Sequence, residues 1–564
     1  MYKIITLFLC LYIGLTQGNA QNVVFFDANL KNILVGDPTI NTNGDTEIQI
    51  TEAQSYSGLL NISGNGISSL KGIEEFTELN ILWCNSNNIT FLDFSENVNL
   101  SHVNCQSNNI DSLILPTGSN LKQLNVSSNN LESINISNAT GLTILDVSNN
   151  TISELDLTSN EELIHLNLSG NILNSIDLSN NALLKILNVS SNLLTSLDIS
   201  QNSDMLVLLC NENQISNLNT DNASVLESLS CISNLLTSID LEDNTDLEVL
   251  NCSHNMLGQL DLAINSKLTS VTCSHNFLTN LSFMNHYELG GITCNNNSIS
   301  TIFTNGVPKL SYINCSFNQL SNISLSSNPA TQTLICNDNF LDLLYASSVD
   351  SLVELNCANN NMNTLNVDHC YKLEVIDASN NNLESIGLSD KVLLTSVNLK
   401  ENKLINLDFT NATDLKYLNV TSNKLESLNI QNDENEALDE VAGEPNFLAK
   451  YNLNLFCIQV DQVTWATNNL TEIDQFASYS LNCETFDINE FEDVEFSLFP
   501  NPTSDHISIN TTKNIDQIHV RNNLGQLIGS FSGYELNTKS YPKGTYYLEV
   551  QYDDQVIFKS FVKE

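Results

Sequence analysis

Residues 247–265 read LEVLNCSHNMLGQLDLAIN and consist of two near-copies of one pattern. Both copies alternate apolar and polar residues with a period of two, which is typical of β-strands, and neither has room for a helix. The pattern returns every 21 residues along most of the chain as L-x-x-L-x-(C/V/L)-x-x-N-x-L-x-x-L-x-L. Because one such unit cannot bury its apolar side alone, the repeat predicts stacked coils around a continuous apolar core.

Asparagine holds one position of the repeat in seventeen successive units. These ladder asparagines are Asn87, Asn108, Asn129, Asn150, Asn171, Asn192, Asn213, Asn234, Asn255, Asn276, Asn297, Asn318, Asn339, Asn360, Asn381, Asn402 and Asn423. We expect each side chain to turn inward and bond the backbone of adjacent coils, which is a structural role and not a catalytic one. We also expect the ladder asparagine to adopt the left-handed conformation, since the chain has only 21 glycines.

The repeat resembles the leucine-rich repeat family, and in detail the short bacterial forms found in exported Bacteroidetes proteins, over about residues 60–430. The resemblance implies a solenoid. From the two half-repeats we predict a mostly β fold, with short parallel strands on both faces of each 21-residue coil.

Cysteine follows the same register. Ten of the 14 cysteines share one repeat position, which elsewhere holds valine, leucine or alanine; they are Cys84, Cys105, Cys210, Cys231, Cys252, Cys273, Cys294, Cys315, Cys336 and Cys357. Neighbouring parallel strands lie about 4.8 Å apart, whereas bridged Cβ atoms lie about 3.5–4.5 Å apart. We therefore predict reduced thiols in the core. Cys457 and Cys483 fall outside this register and are the candidate disulfide.

The chain divides into six predicted segments. Residues 1–20 carry Lys3, an apolar run and a small-residue end at Ala20, which indicates a signal peptide. No later apolar run is long enough for a bilayer, so we expect a soluble exported protein without a transmembrane segment. The other segments are an N-terminal cap at 21–78, the solenoid at 79–430, a C-terminal cap at 431–485, an acidic linker at 486–495 and a final domain at 496–564.

The final domain carries several short motifs in fixed order. They are FPNPT at 499–503, NLGQ at 523–526, YPKGTYY at 541–547 and FKSFVK at 558–563. These motifs resemble the type A C-terminal sorting domain of type IX secretion. The resemblance implies recognition by the type IX machinery and a location outside the cell or on its outer surface. The alternating strands independently predict a small β-sandwich, and an adhesive sandwich is the alternative.

Charge and motifs limit the function classes. The chain has 65 acidic and 20 basic residues, a formal net charge of −45, so nothing in it favours nucleic acid as a partner. No G-x-S-x-G, H-E-x-x-H or phosphate-loop motif occurs, and we predict no enzyme. His254 and His275 hold equivalent places in successive coils. They could share a transition metal, and a solvated pair is the alternative because no third ligand is evident.

Two features suggest weak calcium binding, and no other cofactor is expected. Residues 41–52 resemble an EF-hand loop, with Thr46 in place of the turn glycine, and a metal-free capping loop is the alternative. An aspartate column on one face is self-repelling unless hydrated cations lie along it; its members are Asp93, Asp156, Asp177, Asp198, Asp240, Asp261 and Asp408. The candidate ligands are Asn41, Asn43, Asp45, Glu52, Asp156, Asp177 and Asp198.

The other face suggests a recognition strip. Its amide column comprises Asn104, Asn125, Asn167, Asn188, Asn251, Asn314, Asn356, Asn398 and Asn419. The flanking column supplies the candidate binding residues Ile144, Ile186, Val207, Val249, Tyr312 and Tyr417. Amides beside exposed aliphatic and aromatic groups suit a protein or glycan partner, although such residues also simply favour strands. We therefore expect a secreted binding scaffold; a structural or adhesive surface protein with weak multivalent contacts is the alternative.

Overall fold

Short parallel strands dominate the computed structural model, which describes residues 21–118, 120–346, 349–438, 445–483, 496–511, 513–552 and 555–564. The predicted signal peptide at 1–20 and the acidic linker at 486–495 lie outside the described residues. The chain forms two units, Met1–Leu289 and Gly290–Glu564, each of which is described by itself.

The first unit begins with a helical cap. Helix α1 spans Ala28–Gly36, helix α2 spans Ile50–Ser55, and a 3₁₀ turn spans Ile73–Glu75. Asp27 caps α1, because its carboxylate accepts hydrogen bonds from the Asn29 and Leu30 amides. Its second oxygen accepts from the amide and hydroxyl of Ser68, which ties the cap to the first coil.

One continuous face of the first unit is a parallel sheet in which each residue pairs with the residue 21 positions later, except at the first pair. Its strands are Gly58–Asn61, Leu79–Trp83, His102–Asn104, Gln123–Asn125, Ile144–Asp146, His165–Asn167, Ile186–Asn188, Val207–Leu209, Ser228–Ser230, Val249–Asn251 and Ser270–Thr272. In each three-residue strand the middle side chain is buried. We call this side the first face.

The second face is less regular than predicted. In the first unit its strands are Phe91–Asp93, Ser112–Ile114, Ser196–Asp198, Asn217–Asn219 and Asn280–Ser282. Residues 154–156 and 175–177 hold the same place without forming strands. The prediction of strands on both faces is therefore right for the first face and only partly right for the second. Alternation of apolar and polar residues reports which side chains are buried, and burial does not require a strand–strand hydrogen bond.

The ladder asparagines bond adjacent coils as predicted. The Nδ2 atom of Asn150 donates to the carbonyls of Val147 at 3.0 Å and Val126 at 3.1 Å, and its Oδ1 accepts from the Leu131 amide at 2.9 Å. The predicted left-handed conformation is wrong by one residue, because positive φ occurs at the residue before each ladder asparagine. The ladder side chain must point inward to reach the carbonyls, so the chain reverses one residue earlier, where the side chain faces outward.

A second column of buried donors lies at the opposite corner, and the sequence reasoning missed it. Each member donates to a carbonyl 23 or 24 residues earlier in the chain. In the first unit the members are Asn97, Asn160, Asn181, Asn202, Asn244, Asn265 and His286. In the second unit they are Asn328, Cys370 and Lys391. The second half-repeat of 247–265 ends in Asn265, and this was the signal that could have revealed the column.

The solenoid part of the second unit repeats the same plan. Its first-face strands are Gly291–Thr293, Tyr312–Asn314, Thr333–Ile335, Glu354–Asn356, Val375–Asp377, Ser396–Asn398, Tyr417–Asn419 and Phe447–Leu448. Its second-face strands are Thr301–Phe303, Asn322–Ser324, Leu343–Tyr345, Asn406–Asp408, Ser427–Asn429, Cys457–Gln459 and Ser478–Ser480. A 3₁₀ turn at Asn435–Leu438 and helix α3 at Val463–Asn469 complete this end.

The cysteine predictions are confirmed. The ten register cysteines are buried free thiols, as is Cys370, whereas Cys457 and Cys483 form a disulfide with Cα atoms 5.8 Å apart. Burial raises the pKa of the Cys210 and Cys252 thiols to about 12. These thiols are therefore neutral core groups at physiological pH.

The final domain is the predicted antiparallel sandwich. One sheet contains Ser497–Phe499, His506–Asn510 and Glu535–Asn537. The other contains Gln517–Asn522, Leu527–Phe531, Gly544–Tyr552 and Gln555–Lys563. Ile507, Ile518, Leu548 and Phe561 are among the side chains of the shared core.

Candidate partner-binding surface

The four predicted binding residues of the first unit do not form an unbroken column. Ile186 and Val207 are register partners on neighbouring first-face strands. His165 separates Ile144 from Ile186, and Ser228 separates Val207 from Val249.

The two predicted tyrosines belong to the second unit. Four strands lie between Tyr312 and Tyr417 in the first-face register of that unit. The predicted strip is therefore an intermittent column and not a continuous patch.

The amide column of the first face has a structural role that the sequence reasoning missed. The Oδ1 atom of Asn125 accepts a 2.9 Å hydrogen bond from the Ser127 amide, two residues later. All nine predicted amides accept the same bond. This Asx turn closes each strand, which explains the recurrence of asparagine without a ligand.

The aspartate column on the second face forms the same turn. Asp156 accepts from the Thr158 amide at 3.0 Å and hydroxyl at 2.7 Å, and Asp177 and Asp198 accept from the amide two residues later. The hydrogen bonds from the Thr158 side chain and backbone lower the pKa of Asp156. One oxygen of each carboxylate takes part in the turn, and the other oxygen is the part available to a cation.

The loop at 41–52 is held by hydrogen bonds among its own residues. Glu52 accepts from the amides of Thr42, Asn43 and Gln49. Burial alone would raise the pKa of Glu52, but these hydrogen bonds outweigh it and the pKa is lowered. Asp45 accepts from the Glu47 amide and from the Asn43 and Gln49 side chains.

Across the described ranges there is no group of three or more histidine, cysteine, aspartate or glutamate residues that could hold a metal ion.

A column of exposed apolar side chains lies at the corner that follows the first-face ladder. Its members directly follow ladder asparagines in the first unit and are Ile172, Leu193, Leu235, Met256 and Phe277, exposed by 44%, 40%, 45%, 41% and 62%. We call this surface the corner stripe. Gln214 interrupts it once.

Backbone hydrogen bonds between the coils hold the residues of the stripe in line. The backbone amides of Leu235, Met256 and Phe277 each donate a 2.9 Å hydrogen bond into the preceding coil. Members on neighbouring coils therefore lie about 4.8 Å apart, whereas Leu193 and Leu235 lie two coils apart with Gln214 between them. A fully exposed side chain of this size presents roughly 200 Å², so the five exposed fractions amount to about 450 Å². Leu235, Met256 and Phe277 lie on three successive coils and supply about 300 Å² of this area. An apolar patch of a few hundred Å² marks an interaction site more often than scattered apolar residues do.

The second unit contains a polar groove beside the disulfide. It encloses about 870 Å³ and is lined by Asn406, Asp408, Glu426, Asn429, Gln459 and Phe456, among others. None of its described lining residues is basic. Phe456 is 48% exposed and lies 5.6 Å, centroid to centroid, from Phe476. The groove thus offers amides, carboxylates and one aromatic surface.

Comparison with known proteins gives a family for the final domain and a fold for the solenoid. Residues 497–564 match the family model described as the secretion system C-terminal sorting domain. A search of curated proteins found no match.

Two solved structures share the fold of the chain. The functional domain of InlJ from Listeria monocytogenes, which includes a cysteine ladder, is 21% identical, covers 92% of each chain and has a TM-score of 0.51. YopM from Yersinia enterocolitica is 23% identical over 65% of this chain and 83% of its own, with a TM-score of 0.56. These likenesses show the fold alone.

The chain thus has the solenoid fold of these proteins, with coils of about 21 residues, and carries a secretion sorting domain at residues 497–564. That domain indicates a location outside the cell or on its outer surface. Within the described residues, no helix has the length and hydrophobicity to cross a membrane.

Proposed function

We propose that the solenoid is a non-enzymatic scaffold, displayed outside the cell, that binds a protein partner on the corner stripe of its first unit. The observation that carries this proposal is the stacking of five exposed apolar side chains on six consecutive coils. A column this regular differs from the single exposed apolar residues that any protein surface contains.

The chemistry of the stripe favours a protein over a glycan. Isoleucine, leucine, methionine and phenylalanine offer no hydrogen-bonding groups for sugar hydroxyls, and methionine and phenylalanine are enriched in protein interfaces. The stripe has roughly half of the 800 Å² that each partner contributes to a standard interface. It can therefore form the apolar centre, while the outward residues that precede the ladder asparagines, such as Ser191, Glu212 and Ser233, form a polar rim.

A triple variant tests this proposal. Leu235→Gln, Met256→Gln and Phe277→Gln place glutamine where Gln214 and Gln319 already follow ladder asparagines, so the fold should persist. The matched control is Phe340→Gln, which changes an isolated phenylalanine at the same repeat position in the second unit.

The readout is saturable binding. The full chain is first used to isolate a partner protein from the medium outside the cells. That partner is then titrated against the wild type and each variant. We expect the triple variant to lose binding and the control to keep it. Unchanged affinity of the triple variant would exclude the corner stripe as the binding surface.

The groove of the second unit supports a glycan as a second candidate ligand. Amides and carboxylates match the hydroxyl groups of a neutral sugar, and the exposed ring of Phe456 offers a flat apolar surface for a sugar ring. The absence of basic residues among the described lining disfavours anionic ligands. The volume of 870 Å³ lies within the range of ligand sites.

Calorimetry with maltohexaose, cellohexaose and mannohexaose tests this second candidate. At least one of these sugars should bind, and Phe456→Ala and Glu426→Gln should abolish the heat. Phe340→Gln should leave it unchanged. Lack of binding across the panel, or equal binding by the groove variants, would remove the candidate.

A structural or adhesive role is the alternative to both ligands. Weak multivalent contacts would give binding that does not saturate and that no single-surface variant abolishes. The titrations above distinguish this outcome, because one saturable partner lost with the corner stripe supports a specific scaffold.

A further inference from the structure

Two histidines stack beside the corner stripe on consecutive coils. The ring centroids of His254 and His275 are 4.2 Å apart, and the ring planes differ by 11°. Both side chains are exposed. Met256 and Phe277 of the corner stripe follow them by two residues each.

The backbone fixes the separation of the two rings. Each histidine precedes a ladder asparagine and has a left-handed backbone with φ of 55°. The His254 amide donates a 2.9 Å hydrogen bond to the carbonyl of Ser274, the residue before His275. The Cα positions are thus held one coil apart, while the imidazoles remain free to turn about their side-chain bonds.

We propose that His254 and His275 form a binding site for a divalent transition-metal ion such as Zn²⁺, Ni²⁺ or Cu²⁺. Imidazole nitrogens bind Zn²⁺ at about 2.0–2.1 Å, so two ligands of a tetrahedral ion lie about 3.3 Å apart. The stacked rings are already close to this separation, and a turn of each ring brings one nitrogen lone pair toward a shared ion. Water or a donor from a partner fills the remaining positions.

Two further observations support the site. Both rings are exposed, and among the described residues neither imidazole has a hydrogen-bond partner, so both can offer a nitrogen. The net charge of −45 also concentrates cations near the protein.

The test measures metal binding by the full chain without any partner. Zn²⁺ and Ni²⁺ are titrated by calorimetry into chelator-treated protein, and Co²⁺ is followed by its visible absorbance. The variants are His254→Gln and His275→Gln. Both should fold, because Glu212 and Glu401 already occupy the same left-handed position. His102→Gln is the control, since His102 lies in a distant coil of the same unit and its ring contacts the hydroxyl of the preceding residue, Ser101.

Replacing either histidine should greatly reduce the affinity for the metal ion. Residues that only hydrogen-bond a metal's ligands already contribute about 10–100-fold to metal affinity, so loss of a ligand itself should weaken Zn²⁺ and Ni²⁺ binding at least about tenfold in either variant. The double variant should show no binding at this site, and His102→Gln should match the wild type. Equal metal affinity in the wild type and both variants, or no binding by the wild type, overturns the proposal. Because no partner is present, its failure leaves the protein-binding proposal unaffected.

Discussion

The hydroxyl of Thr220 donates a 2.8 Å hydrogen bond to the Oδ1 atom of Asn244, one coil further along the solenoid. Both side chains are buried. The equivalent Oδ1 atoms of Asn160, Asn181, Asn202 and Asn265 have no partner in the described structure, because an isoleucine or leucine takes the place of the threonine. The Thr220 hydroxyl therefore gives the Asn244 oxygen the hydrogen bond that the equivalent oxygens lack.

Thr220→Val should destabilise the coil around Asn244. The substitution leaves the Asn244 oxygen without a donor, at an expected cost of about 1–3 kcal/mol. Hydrogen–deuterium exchange of peptides covering residues 220–250 should show faster exchange. Thr220→Ser, which keeps the hydroxyl, is the control and should exchange like the wild type. Equal protection in the valine variant would mean that the hydroxyl contributes nothing measurable.

Asn150→Ala should destabilise the solenoid far more than a change at its neighbour. It removes the donors to the Val126 and Val147 carbonyls and the acceptor for the Leu131 amide, all of which are buried. We expect a loss of roughly 3 kcal/mol or more in unfolding free energy. Asn149→Ser is the matched control, because serine holds that left-handed position in several coils. Similar melting of the two variants would contradict the structural role of the ladder.

The buried thiols predict a loss of stability at high pH. Burial raises the pKa of Cys210 and Cys252 to about 12, above the ordinary value of 9.0. The folded state therefore holds protons that the unfolded state has lost, so stability is full below about pH 9 and falls as pH rises toward 12. Each such thiol contributes up to about 1.4 kcal/mol per pH unit in that window.

A valine variant isolates this contribution. Valine already occupies the cysteine position in several coils, so Cys210→Val with Cys252→Val should preserve the core. Melting temperatures measured from pH 8 to 11 should fall less steeply in the variant than in the wild type. Parallel curves would show that the thiols do not control the alkaline transition.

Calcium should stabilise the protein slightly at low ionic strength. Asp156, Asp177 and Asp198 stand one coil apart, and each has a carboxylate oxygen outside its turn. We expect a rise of about 1–3 °C in melting temperature with calcium, reversed by EDTA. Asp177→Asn should reduce the rise and keep its turn, as Asn135 and Asn219 do. No response to calcium or EDTA would exclude binding at both the aspartate column and the 41–52 loop.

The repeat itself was predictable because its signal is periodic. The inward asparagines, the reduced thiols and the Cys457–Cys483 bond all follow from register and strand spacing. The left-handed residue was assigned one position too late, since the sequence shows where asparagine recurs and not which residue reverses the chain.

The candidate surfaces were harder to predict than the fold. Recurrent Asn and Asp columns drew attention as possible ligands, yet their recurrence reflects Asx turns. The corner stripe has no constant residue and was overlooked, although an apolar residue follows the ladder asparagine in five of six coils from Ile172 to Phe277. The groove near Phe456 joins coils that are distant in sequence, so no local pattern could predict it.

The left-handed turn before each ladder asparagine accommodates serine, glycine, glutamate, aspartate, histidine and phenylalanine within this one chain. The inward asparagine sets the backbone there, so the outward side chain can change while the coil stays the same. Within each unit the protein therefore carries a row of interchangeable attachment points about 4.8 Å apart. Cysteines placed at chosen points would hold dyes, catalysts or peptides at graded, known separations, which makes the solenoid a molecular ruler for engineering.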